Sequence, residues 1–81
     1  MDTRIAVLSI IVENNEMTDQ LNQLLHEQAA YVVGRMGIPY REKGVSVICV
    51  VLDAPQNVTS TLSGRIGMLD GIRCKAVYSH A

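Results

Sequence analysis

Val45–Asp53 reads VSVICVVLD, and the folding of this stretch decides the folding of the chain. It is rich in β-branched residues and too short for a buried helix, so it reads as a strand. Extended, it points Val45, Val47, Cys49 and Val51 to one side and Ile48, Val50 and Leu52 to the other. Both sides are apolar, as expected of a strand inside a sheet. The opening stretch RIAVLSIIVE (Arg4–Glu13) has the same character. Ile5, Val7 and Ile11 face one way, and Ala6, Leu8, Ile10 and Val12 face the other.

Between these two strands lies NNEMTDQLNQLLHEQAAY, in which Met17, Leu21, Leu24, Leu25 and Ala29 fall on one helical stripe. Asn14 or Asn15 can cap that helix through a side-chain carbonyl. Tyr31–Met36 reads as a second strand, and the following residues to Gly44 as its hairpin. Beyond the third strand, Pro55 or Asn57 opens a second helix carrying Val58, Leu62, Ile66 and Leu69. Gly64 and Gly67 are poor helix formers, which predicts a short helix or one packed closely on the sheet. Asp70-Gly71 marks a turn. Ile72–Ser79 closes the chain as a strand, with Ile72, Cys74, Ala76 and Tyr78 on one side and Arg73 and Lys75 on the other. One apolar side and one wet side make this an edge strand.

The order β-α-β-β-α-β in 81 residues predicts one domain spanning residues 1–81. Its fold class is α+β, a ferredoxin-like sandwich with a four-stranded antiparallel sheet and both helices on one face. The first and third strands are central. Two helices cover one face of such a sheet, so the second apolar face requires a cover from outside the chain. The expectation is a homo-oligomer, either a dimer or a dimer of dimers.

Seven Lys and Arg stand against eight Asp and Glu, a net charge of −1, which argues against direct nucleic-acid binding. No apolar run approaches the roughly 18 residues of a membrane span, and no signal peptide is recognisable, so a cytoplasmic protein is expected. Cys49 and Cys74 sit in apolar stretches at no disulfide or metal-ligand spacing. His26 falls off the helical stripe and reads as solvated, His80 lies next to the C-terminus and reads as frayed, and no metal or cofactor is expected.

GRMGIPYREKG (Gly34–Gly44) is the candidate working segment. Arg35, Arg41 and Lys43 against Glu42 give it a local charge of +2, leaving −3 for the remainder. Its glycines permit positive φ or close backbone approach. Gly34, Arg35, Gly37, Tyr40, Arg41 and Lys43 therefore form a candidate site for a small anionic effector or an acidic protein partner. The competing reading is a structural arm anchored on a neighbouring subunit by Tyr40. Glu13 and Asn14, at the junction of the first strand and first helix, are candidate lining residues of an effector pocket, although capping accounts for most of that corner.

RIAVLSIIVE, VGRMGIPYREKG, VSVICVVLD and SGRIGMLDGIRCKAVYS together resemble the small regulators associated with iron-only hydrogenase systems. That family is similar in fold to ACT domains and to the effector-binding domain of the nickel-responsive repressor. The resemblance implies an oligomeric, ligand-sensing, ACT-like regulatory domain. The chain departs from those relatives at three points. It begins its first strand too early for a preceding DNA-binding ribbon-helix-helix. It has no His-x-His nickel pair. It places ENNEM where amino-acid-binding ACT domains usually begin their first helix with glycine. No nucleophile, base and orienting group stand at a recognisable spacing, and the acidic first turn disfavours an acylphosphatase-like phosphate cradle, so an enzyme is not expected. The alternative function is an adaptor that binds a protein and no small molecule.

Overall fold

The computed structural model describes residues 2–80. Four strands, β1 (Arg4–Val12), β2 (Val32–Tyr40), β3 (Val45–Ala54) and β4 (Ile72–Tyr78), form one antiparallel sheet in the order β2-β3-β1-β4. Two helices, α1 (Thr18–Glu27) and α2 (Gln56–Gly67), cover one face of it. This is the ferredoxin-like, ACT-like α+β sandwich expected from the alternation of the two central strands.

The core forms where that alternation meets the helices. Ala6, Leu8, Ile10 and Val12 of β1 and Ile48, Val50, Leu52 and Ala54 of β3 are buried on the helix side. Leu21, Leu24 and Leu25 of α1, with Leu62 and Ile66 of α2, close over them. Thr59 is also fully buried, a core position that a search for apolar periodicity passes over. Ala29 leaves the predicted stripe and is exposed. The helix ends at Glu27, and the chain passes through a 3-10 turn over Ala29–Tyr31. A half-exposed ion pair, Arg65 to Glu27 at 3.1 Å, joins the two helices. At that exposure it contributes less than about 1 kcal/mol.

Two further sequence expectations are corrected. The second strand does not stop at Met36. It runs nine residues to Tyr40, so most of Gly34–Gly44 is strand, and only Arg41–Lys43 and Gly44 make the turn. Glycine and proline disguise the strand, but proline is compatible with a strand at the edge of a sheet, where β2 lies. The second helix is neither short nor held close to the sheet at its glycines. It spans 12 residues, and a Cβ added at Gly64 or Gly67 would meet nothing within 4 Å.

Positive φ is confined, among the described residues, to Gly44 (φ 66°) and Gly71 (φ 74°). Gly71 is doubly constrained, because a Cβ there would lie 2.5 Å from Asn14 Cβ. Its carbonyl accepts from the Glu13 amide at 2.7 Å, fastening the β1 exit to the β4 entry. Cys74 faces the core with its Sγ 3.5 Å from Ser63 Oγ. Burial pushes this thiol above its ordinary value, and the Ser63 hydrogen bond opposes the shift only in part.

Two predictions follow from these positions. Gly71→Ala should lower stability by about 1–3 kcal/mol through strain and overlap, whereas Gly64→Ala should raise it by roughly 0.5–1 kcal/mol, both read by urea unfolding. In a Cys49→Ser background, iodoacetamide at pH 8 should modify Cys74 more slowly in the folded protein than in urea. The raised thiol pKa gives a stability contribution that is complete below the ordinary thiol range. That contribution should decline as pH rises through the range, because the unfolded chain ionises first.

Candidate functional site

The candidate residues are distributed by a single irregularity in β2. Val32 pairs with Leu52 and Gly34 with Val51, so one extra residue stands in β2 at Val33. This is a β-bulge, and it inverts the alternation beyond it. Arg35 pairs with Val50 and Gly37 with Ile48, which places both on the helix side. Gly34, Met36, Ile38 and Tyr40 share the opposite side with Val51, Cys49, Val47 and Val45. Without the bulge, Arg35 would lie on the open face and Gly34 beneath α1.

Within one chain the eight residues singled out from the sequence lie in separate places. Arg35 turns toward α1, where its Nη2 donates to Asn22 Oδ1 at 3.2 Å. Tyr40 ends the strand, and its hydroxyl donates to Glu42 Oε2 at 3.0 Å. Arg41 and Lys43 are exposed in the turn and make no hydrogen bond or ion pair among the described residues. From Arg35 to Arg41 the strand rises on the order of 20 Å, so the three cations of one chain do not converge on one small anion. Gly34 and Gly37 have neither positive φ nor close neighbours, since a Cβ at Gly37 would touch only Ile48 Cγ1 at 3.9 Å. The glycines that the chain geometry requires are Gly44 and Gly71.

Glu13 and Asn14 lie at the end of β1, apart from β2. The Glu13 carboxylate meets Arg73 Nε at 3.2 Å. Asn14 Oδ1 accepts from the Glu16 amide at 3.1 Å, so it caps the 3-10 turn over Asn15–Met17. Both side chains therefore have structural partners.

Two surfaces remain with unmatched chemistry. One is the sheet face opposite the helices. Ile5, Ile11, Met36, Ile38, Tyr40 and Val47 are each between 41% and 61% exposed on it, with Val77 at 64%. Arg73 and Lys75 of β4 border this apolar area. The other is a groove between α1 and β2, where Asp19, Asn22, Gln23 and His26 face Arg35. Apart from His26, which read as solvated, the helix residues of the groove were not singled out from the sequence. The spacing of Asp19, Asn22 and His26 places them on one helix face, a signal the sequence carries. What it lacks is any mark of the bulge that brings Arg35 opposite them. Among the described residues no three His, Cys, Asp or Glu side chains gather as a metal site would need, and no helix is long and apolar enough to cross a membrane.

Comparison with known proteins agrees with this architecture. TM1266 of Thermotoga maritima, described as an uncharacterized protein, superposes with a TM-score of 0.91 at 32% identity, over 95% of this chain and 98% of that one. A formyltetrahydrofolate deformylase from Pseudomonas putida KT2440 superposes at 0.65 with 19% identity, over 90% of this chain and 28% of that one. At that identity the second likeness shows the fold alone. No curated protein matches the sequence. Residues 4–76 match the family described as "TM1266-like: Iron-only hydrogenase system regulator, putative". With β1 through most of β4 inside that match, the chain belongs to the TM1266-like family of iron-only hydrogenase system regulators.

Proposed function

We propose that this chain is a homo-oligomeric regulatory module. In this reading it is one ACT-like domain across residues 1–81, without catalytic chemistry or direct contact with nucleic acid, working in the cytoplasm. Two copies pack through their open sheet faces, singly or as a dimer of dimers, and the assembly responds to a small anionic effector. The family description supports the regulatory part. The open sheet face supports the assembly. Its apolar side chains come from the two central strands and from β2, and they form one continuous surface. Burying roughly 600 Å2 of apolar surface per assembly contributes about 15 kcal/mol before the costs of association.

The face is favoured over the β2 edge as the contact surface. Pro39 and the bulge at Val33 both interrupt the regular backbone pairing that an added strand needs. A second reading, an adaptor for an acidic protein partner, is favoured by Arg73 and Lys75 beside the apolar area.

Sedimentation velocity at micromolar concentration tests the assembly. The parent should sediment as a dimer or tetramer. Val47→Lys, at the middle of the face, should sediment as a folded monomer. Burying an unpaired charge there costs about 3 kcal/mol or more, roughly a hundredfold in the dissociation constant. A parent that is monomeric and well folded would leave the face to another protein and favour the adaptor.

A further inference from the structure

The groove between α1 and β2 has a volume of about 570 Å3 and lies on the helix side of the sheet. Its floor is apolar. Ala29 is exposed along it and Val32 half-buried, with Leu25 and Val50 buried beneath them. Its walls are polar and come from two independent devices. The helix repeat brings Asp19, Asn22 and His26 onto one face. The bulge in β2 turns Arg35 toward them. Re-aiming one side chain at a binding site is a recurring use of bulges. The bond from Arg35 Nη2 to Asn22 Oδ1 holds the guanidinium across the groove. The remaining guanidinium N–H groups and the His26 imidazole make no other hydrogen bond or ion pair among the described residues.

We propose that this groove binds a small monocarboxylate with a short apolar body. A planar guanidinium donates two parallel hydrogen bonds to a carboxylate, and Asn22 already fixes its orientation. The His26 ring can donate a further bond. Asp19 on the wall repels a second negative charge, which selects a monoanion over a dicarboxylate or a phosphate dianion. The apolar floor receives a chain of a few carbons, and the volume falls within the roughly 300–1,000 Å3 of small-molecule sites. The proposal deepens the effector reading given above by naming the ligand class. It uses the side of the sheet away from the face assigned to a second copy, so the two stand or fall separately.

The test titrates sodium hexanoate, and separately inorganic phosphate, into the parent and into Val47→Lys at pH 8, where phosphate is mostly the dianion, followed by 1H–15N NMR. Hexanoate should shift amides of residues 19–26 and 32–35 and saturate in both proteins, while phosphate should leave those amides unmoved. Arg35→Ala should weaken hexanoate binding at least tenfold, and Arg35→Lys several-fold, because an ammonium cannot form the two-pronged contact. Asp19→Asn should admit phosphate. Hexanoate binding that is unchanged in Arg35→Ala, shifts that map elsewhere, or phosphate binding in place of hexanoate would each overturn the groove assignment. A monomeric parent that still binds hexanoate at these residues would overturn the proposed assembly and uphold the groove.

Discussion

One extra residue in an edge strand determines what each surface of this protein presents. The side-chain period of a strand is two, so a single inserted residue exchanges the faces of everything beyond it. In β2 that residue is Val33. Beyond it, Met36, Ile38 and Tyr40 extend the apolar surface of β3 across the open face, while Arg35 enters the groove beside α1. Gly37, opposite Ile48, and Pro39, opposite Ser46, fall on the helix side. In uninterrupted register the apolar side chains of β2 would fall on the helix side of the sheet edge and the arginine would sit within the apolar face. The continuity of that face and the composition of the groove therefore share one cause.

The two sides of the sheet carry different kinds of stability. On the helix side, Leu8, Ile10, Val50 and Leu52 are fully buried and the helices supply their cover, so this half is complete within the chain. The other side repeats the apolar composition without a cover, and its large side chains remain about half exposed. A chain of 81 residues is short of core. Placing equally apolar residues on both sides of β1 and β3 makes sense when the second side is also to be buried. The polar links at the sheet ends, Glu13 to Arg73 and Arg4 to Gln56, are exposed and modest, and they fix geometry more than they add stability.

The likeness to TM1266 spans nearly both chains, and the likeness to a deformylase spans a small part of that protein. The same sandwich thus occurs with little beyond it and within a larger chain. A fold shared in this way does not specify a function, which resides in what each chain places on the shared frame. Here that frame carries an apolar face and a polar groove.

The sequence by itself determined the fold, because each strand and helix announces its period locally. Val45–Asp53 and Arg4–Glu13 alternate apolar residues on both sides, and Leu21, Leu24 and Leu25 mark the helix face that covers them. It also determined the turn at Gly71, since Asp-Gly is a local turn signal, and the existence of an uncovered apolar face, which two helices on a four-stranded sheet entail. The length of β2 escaped it, because Gly34, Gly37 and Pro39 read as punctuation whereas an edge strand tolerates them. The relation among the candidate residues escaped it more completely. Arg35, Arg41 and Lys43 are neighbours in sequence and separate in space, while Arg35 and Asn22 are 13 residues apart and hydrogen-bonded. Only the tertiary structure decided these, because a bulge has no local signature. It is set by how β2 pairs with β3, and that pairing exists only once the sheet has formed.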